Sequence, residues 1–237
     1  MSPKIALNDN RNVAFYDSIA EDYDILDAKM ESNKQVRNEV SKIFLQNVRG
    51  IRVLDFGGGT GLDLGWLTDY GFKVYFCEPS EKMRAKAIQL KREKIKNGDV
   101  QFLENNETDF ATWKASNPFP EKVDAILANF AVLNNISDIK TMFESLAEII
   151  HPDGIIVATI LNNRIFKLYK SHFLKYLVCL LFGKTLSVKF MHNHVEQLVF
   201  LHSLPVIRKA ASPYFKVTAV KDLKGFGFLC LVFSANR

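Results

Sequence analysis

A run of glycines follows the first strongly apolar segment of the chain and is its best candidate for a ligand-binding element. Gly57, Gly58, Gly59 and Gly61 come directly after Val53–Phe56, and a segment with helical periodicity follows them. Glycines allow a sharp turn and a close approach of a ligand to the main chain, and the free N–H groups at a helix start attract anionic groups. The loop therefore predicts a small bound ligand, whose class depends on the spacing of the glycines.

This spacing excludes two common nucleotide-binding loops. A dinucleotide fingerprint starting at Gly57 needs its third glycine where Leu62 stands, and no Lys-Ser or Lys-Thr follows the glycines, as a P-loop requires. The pattern that fits is Asp-x-Gly-x-Gly-x-Gly, which starts at Asp55. It resembles the loop of class I S-adenosylmethionine-dependent methyltransferases, and the resemblance implies S-adenosyl-L-methionine as the cofactor.

The resemblance covers residues 15–160 and implies roles for other side chains. Glu78 ends the second apolar run, where the family has an acid that accepts hydrogen bonds from both ribose hydroxyls. Met83 matches a residue that packs on adenine, and Tyr16 and Tyr23 match an N-terminal helix that covers the cofactor. The implied cofactor-binding residues are Tyr16, Tyr23, Asp55, Gly57, Gly58, Gly59, Gly61, Glu78, Pro79, Met83, Asn106, Glu107 and Asn129.

Three of these residues lie at the ends of later apolar runs. Asn106, with Glu107 beside it, follows the third run, where the family typically has an acid near the adenine amino group. The asparagine departs from that pattern but still offers an oxygen that accepts hydrogen bonds. Asn129 ends the fourth run, where the resemblance implies a position beside the transferring methyl group.

Apolar runs that alternate with helical segments indicate βαβ units and a parallel sheet. The last two runs are separated by Asp222–Gly225, which predicts a hairpin and an antiparallel final strand. We therefore expect an α/β fold, a Rossmann-like seven-stranded, mostly parallel sheet with helices on both faces. The predicted strands are Ile51–Phe56, Phe72–Cys77, Val100–Leu103, Val123–Asn129, Ile155–Leu161, Phe215–Lys221 and Phe226–Phe233.

Two segments lie outside this alternation within what we interpret as one methyltransferase domain, residues 1–237. Residues 1–48 are predicted to form an N-terminal helical cap, or lid, and residues 162–200 an insertion after the fifth strand, on the side of the methyl acceptor. Within the insertion, Arg164–Lys175 is both basic and aromatic. It is interpreted as the lid of an apolar acceptor pocket, a peripheral contact with an anionic membrane surface, or a buried amphipathic cover.

The implied reaction requires little from protein side chains, because a methyl group on a sulfonium is already activated. Orientation and exclusion of water supply much of the rate, and a general base matters only for an acceptor that keeps its proton at neutral pH. We therefore expect no catalytic triad and no metal site. His194, in the insertion, is the candidate for a base if one is used.

Composition and charge bound the remaining alternatives. With 48% hydrophobic and 24% charged residues, the chain is neither disordered nor a coiled coil. No apolar run reaches the length of a membrane span, no secretory signal is recognised, and only three cysteines are present, so we expect a cytoplasmic protein. Residues 151–237 contain 12 Lys and Arg and 3 Asp and Glu, a net charge of +9.

Three functions remain open at this point. The first is methyl transfer to oxygen or nitrogen of a small, lipophilic or anionic molecule, with no nucleic-acid partner. The second is methylation of RNA or protein, docked through the basic C-terminal third. The third is a regulatory protein that binds S-adenosylmethionine without turnover.

Overall fold

Nine β-strands form one large sheet and one small hairpin in the computed structural model, which describes residues 10–28, 30–94, 99–162, 185–192 and 194–236. The strands are β1 (Arg52–Phe56), β2 (Lys73–Cys77), β3 (Asp99–Phe102), β4 (Val123–Ala128), β5 (Ile150–Leu161), β6 (Leu186–His192), β7 (Val195–Leu201), β8 (Phe215–Leu223) and β9 (Phe228–Ala235). The seven-stranded sheet has the order β3-β2-β1-β4-β5-β9-β8. Strands β1 to β5 are parallel to one another, and β9 runs antiparallel to both of its neighbours. The predicted Rossmann-like α/β fold is confirmed.

The order of the strands reverses at β1, and this reversal creates the crevice of the molecule. Strand β1 pairs with β2 on one side and β4 on the other, with Val53 opposite Val74 and Ala125. The connections that leave β1 and β4 therefore go to opposite sides of the sheet. Ligands of open α/β sheets bind at such a point, outside the carboxyl ends of the strands.

Helices cover both faces of the sheet because its central strands are apolar on both sides. One core contains Trp113, Phe143 and Phe233, and the other contains Phe44 and Phe76. The helices are α1 (Asn10–Ile19), α2 (Tyr23–Ala28), α3 (Glu31–Asn47), α4 (Leu64–Asp69), α5 (Glu81–Lys94), α6 (Ile139–Ile149) and α7 (Leu204–Ala211), with short 3-10 helices at Asn105–Glu107, Phe110–Thr112 and Val132–Asn135.

The fifth strand is longer than the sequence predicted. It begins at Ile150 rather than Ile155, and its register with β4 shifts from Val123↔Ile150 to Ala125↔Ile155. Residues His151–Gly154 therefore form an irregularity inside β5, where the single residue Asp124 of β4 lies opposite four residues of β5.

The insertion contributes a hairpin that the sequence did not predict as strands. Strands β6 and β7 pair from Leu186↔Leu201 to His192↔Val195, and α1 packs against β7. The basic, aromatic segment Arg164–Lys175 lies outside the described residues, so its three interpretations stay predictions. No helix among the described residues is long and apolar enough to span a bilayer.

Candidate cofactor and acceptor site

The glycine loop after β1 is held against the end of β2. The N–H groups of Gly57 and Gly58 both donate to the carbonyl oxygen of Cys77, at 2.8 and 3.2 Å. Gly57 has a φ of +74°, and a Cβ there would lie 2.7 Å from both methyl groups of Val132. The first glycine is therefore required both by its backbone conformation and by its close contact with the segment after β4.

Glu78 joins the loops that follow β1 and β2. One carboxylate oxygen accepts from the N–H of Gly59 at 2.9 Å, and the other accepts from the N–H of Ser80 at 2.8 Å. The residue is 7% exposed, and burial raises its pKa to about 7 even though both hydrogen bonds favour the ionised form. A carboxylate has about four lone-pair sites, so this side chain retains capacity for two further donors.

A cavity that is partly open to solvent lies beside Glu78 at the carboxyl ends of β1, β2 and β4. Its lining comes from α1, α2, the two loops just described, the loop after β3 and the segment after β4. The lining residues are Asn12, Val13, Tyr16, Tyr23, Phe56, Gly57, Gly59, Cys77, Glu78, Pro79, Met83, Thr108, Asn129, Phe130, Val132, Asn135 and Ile136.

A smaller, more polar cavity adjoins the glycine loop and is lined by Asp55, Arg37, Asp63 and Asn129, among others. The Arg37 guanidinium lies 2.6 Å from Asp63 Oδ2, which also accepts from the side-chain amide of Asn129 at 3.1 Å. Asp55 is 1% exposed, and its Oδ2 has no hydrogen-bond partner among the described residues. Burial, and then the charge of Asp63, raise the pKa of Asp55 well above its usual range.

These features fit S-adenosylmethionine on three separate counts. Glu78 has lone pairs left for two ribose hydroxyls, and Met83, buried in the cavity wall, offers an apolar surface for adenine. A buried carboxylate oxygen without a partner requires a donor, and the amino-acid part of the cofactor carries an ammonium group that would serve Asp55.

The two predicted tyrosines both line the larger cavity, and Tyr23 lines the smaller one as well. The hydroxyl oxygen of Tyr16 accepts from the amide nitrogens of Asn135 at 3.2 Å and Gln197 at 3.1 Å. Met83 packs against Phe15 on α1, so this helix contacts residues on both sides of the cavity.

Not every predicted residue of the third loop reaches a cavity. Asn106 is exposed, and the Glu107 carboxylate accepts from the backbone N–H of Glu104 at 2.8 Å, which closes a capping box around a 3-10 turn. The wall instead contains Thr108 and Cys77, which the sequence analysis missed. The capping pattern Glu104–Glu107 was the signal that could have turned the prediction toward Thr108.

Two further predicted residues also lie away from the cavity walls. His194 occupies the turn between β6 and β7, with a φ of +63°, and is exposed. It lines neither of the two cavities, so its role as a base stays a prediction. Gly61 does not line either cavity, although its φ of +82° and a Cβ position 2.9 Å from Leu64 Cδ1 explain the glycine.

The raised pKa of Glu78 predicts that cofactor affinity depends on pH. Only the ionised carboxylate accepts from both ribose hydroxyls, and its pKa in the free protein is about 7. Affinity for S-adenosylhomocysteine should therefore be full above pH 8 and fall up to about tenfold for each pH unit below 7. Calorimetry from pH 5.5 to 8.5 measures this. The Glu78→Gln variant should lose that part of the slope, and an equal slope in both proteins would contradict the assignment.

Comparison with known proteins agrees with this geometry. Residues 27–207 match the family model described as a methyltransferase domain. The tRNA 5-carboxymethoxyuridine methyltransferase of Escherichia coli (strain K12) is 29% identical over 106 residues. That stretch covers 45% of this chain and 38% of the relative, so the match spans well under half of the relative's length.

Several solved structures share the fold at low sequence identity. A complex of DhpI with S-adenosylhomocysteine has a TM-score of 0.68 and 18% identity, with 98% of both chains covered. The 1,6-didemethyltoxoflavin-N1-methyltransferase of Burkholderia thailandensis, with 1,6-didemethyltoxoflavin and S-adenosylhomocysteine bound, has a TM-score of 0.64 and 15% identity, covering 100% of this chain and 93% of that one. The family match extends over most of the sequence and includes the loops that build the cavity, and the chain therefore belongs to the S-adenosylmethionine-dependent methyltransferases.

Proposed function

We propose that this enzyme methylates an oxygen or nitrogen atom of a small molecule that is largely apolar or anionic. The observation that carries the proposal is the way α1 is fixed across the cavity. The Asn12 side chain donates to the carbonyl of Leu198 at 2.8 Å and accepts from the N–H of the same residue at 2.7 Å. This pairing ties α1 to β7 of the insertion at the wall of the large cavity, which Asn12 also lines.

The other side of α1 is tied to the cofactor loops. Asp17 accepts from the Ser80 hydroxyl at 2.6 Å and from the N–H of Lys82 at 3.1 Å. We infer that a helix anchored on both sides favours a small acceptor next to the cofactor over a polymer. A helix in this position would also limit the access of water, which would otherwise compete for position around the reacting atoms.

The residues of the chamber have binding and orienting roles in this proposal. S-adenosylmethionine, when bound, supplies a methyl group on a sulfonium that is already activated for displacement. Glu78 and the glycine loop fix the adenosine part, while Asp55 accepts from the ammonium group. The wall formed by α1 and the segment after β4 aligns the acceptor, and such alignment lowers the barrier by removing translational and rotational freedom in advance.

A second candidate is methylation of RNA, which the Escherichia coli relative favours because its name specifies a tRNA substrate. The C-terminal third adds exposed cations, including Arg208 and Lys209 at the end of α7 and Lys216 on the edge strand β8. Binding through such cations would weaken steeply as salt rises. We favour the small-molecule acceptor because α1 is anchored on both sides of the cavity, and we place the reaction in the cytosol, where Cys77 and Cys230 would stay reduced.

An isotope experiment separates these candidates. The purified protein is incubated with methyl-labelled S-adenosylmethionine and a cell extract, which is then divided into small-molecule, RNA and protein fractions. We expect label in the small-molecule fraction, at similar yield in 50 and 200 mM salt, and at least fivefold less with the Glu78→Ala variant. Label only in RNA, lost at the higher salt concentration, would contradict the proposal and support the second candidate.

A further inference from the structure

We propose that the Tyr16 hydroxyl donates a hydrogen bond to the methyl acceptor, and thereby selects mainly apolar molecules that carry a hydrogen-bond-accepting oxygen or nitrogen. This inference rests on the proposed small-molecule function and specifies the chemistry of the acceptor. It assigns Tyr16 to the acceptor, whereas the family resemblance implied a contact with the cofactor.

The argument begins with the partners of the phenol oxygen. Asn135 and Gln197 each direct an amide N–H at it, at 3.2 and 3.1 Å. The amide nitrogen of Gln197 also donates to Asn135 Oδ1 at 3.2 Å, so the orientations of the two amides agree with each other. A hydroxyl has two lone pairs and one hydrogen. Since two donors occupy the lone pairs, the hydrogen of Tyr16 must point away from both amides.

The partners of the Tyr16 hydroxyl place it at the cavity wall. Asn135, which follows β4, lines the large cavity together with Tyr16, and Gln197 lies on β7. Tyr16 lines the large cavity, and among the described residues its hydroxyl accepts these two hydrogen bonds and donates none. The free hydrogen is therefore available to a molecule in the cavity.

The cavity that this hydroxyl lines is mainly apolar. Val13 from α1, together with Val132 and Ile136 from the segment after β4, line the same cavity. A molecule that fills this space without an accepting atom would bury the O–H group unpaired, and an unpaired buried donor is costly. Sites with one such donor discriminate strongly against analogues that lack its partner.

The hydroxyl also keeps its proton at every working pH. Burial, together with the charge of Glu78, raises the pKa of Tyr16 to about 12, although the two amide hydrogen bonds oppose the shift. Tyr16 is therefore a donor and not a general base. It would hold the acceptor in place while the substrate's own lone pair attacks the methyl group.

A pair of probes with the same skeleton tests this donor without knowledge of the natural acceptor. Quinoline and naphthalene differ only by a ring nitrogen in place of a C–H group, and quinoline is uncharged at pH 8. Their dissociation constants are measured by NMR titration for the protein loaded with S-adenosylhomocysteine and for the loaded Tyr16→Phe variant. In each protein we take the ratio of the quinoline constant to the naphthalene constant, and we compare this ratio between the two proteins. Effects of the substitution that weaken both probes equally, such as a change in hydrophobicity or a loosening of Asn135 and Gln197, cancel in this comparison.

We expect the substitution to shift this ratio about three- to tenfold in favour of naphthalene, the range for one net hydrogen bond. Thr108→Val is the matched control, because it also removes a cavity hydroxyl, one that already donates to the carbonyl of Asn105 at 2.9 Å. Its ratio should stay within about twofold of the unsubstituted protein.

Three outcomes would overturn the inference. An unchanged ratio in Tyr16→Phe would show that the Tyr16 hydroxyl does not donate to the bound probe. Failure of both probes to bind the loaded protein would show that the cavity has no apolar space for an acceptor. If Tyr16→Phe bound S-adenosylhomocysteine more than threefold more weakly, the Tyr16 hydroxyl would be assigned to the cofactor and not to the acceptor. Failure of the proposed function is distinguishable from these, because it appears as labelled RNA or protein in an experiment that does not use this variant.

Discussion

Replacing Glu78 by alanine should raise the dissociation constant for S-adenosylhomocysteine about 5- to 150-fold at pH 8. The change removes a carboxylate that the site reserves for two ribose hydroxyls, and losing hydrogen bonds to a charged group costs about 1–3 kcal/mol, with about 1.4 kcal/mol for each factor of ten. Isothermal calorimetry on the purified protein measures the effect directly. A constant within twofold of the unsubstituted protein would refute the assignment to the ribose.

Glu107→Ala is the control for this experiment, because sequence resemblance implied a cofactor role for that residue too. Its carboxylate is engaged by the backbone of Glu104, and the side chain does not line either cavity. The control variant should bind S-adenosylhomocysteine within about twofold of the original protein, while losing up to about 1 kcal/mol of stability with its cap. Equal weakening in both variants would mean that the third loop has been assigned incorrectly.

The part of the site that sequence predicts best is the part that local geometry dictates. Gly57 and Glu78 follow short apolar strands, and the carboxyl ends of neighbouring parallel strands meet at one edge of a sheet. Once a strand is recognised in the sequence, the residue that follows it is predicted to lie at this edge of the sheet. This argument fails for the residues after β3. Asn106 and Glu107 belong to a capped 3-10 turn and do not line the cavity, whereas Thr108, which follows the turn, does.

Contacts between distant segments lay beyond prediction for a different reason. Asn12 and Leu198 are 186 positions apart, and neither residue type signals the other. Strand β6 does alternate, because Leu186, Val188 and Phe190 are separated by Ser187 and Lys189, so the strand itself carried a signal that the sequence analysis did not use. Its pairing with β7 and the contact of β7 with α1, and with them the network around Tyr16, became visible only in the folded chain.

The glycine loop offers the second large effect, in a comparison of two glycines with the same backbone constraint. Gly59 and Gly71 have φ values of +59° and +79°, and a Cβ at either position would meet no atom within 4 Å. Alanine in the left-handed region costs about 1–2 kcal/mol, so both variants should lose similar stability. The two positions differ in one respect, since Gly59 lines both cavities and Gly71 is exposed after α4.

Gly59→Ala should therefore weaken the binding of S-adenosylhomocysteine about 5- to 150-fold, whereas Gly71→Ala should leave it within about twofold. The added methyl group would occupy space that the ligand needs, and any shift of the backbone would disturb the N–H group that holds Glu78 at 2.9 Å. Thermal unfolding and calorimetry on both variants separate the two effects. If Gly59→Ala bound the ligand normally while unfolding earlier, the loop would need its glycines only for folding, and the cofactor would have to lie elsewhere in the crevice.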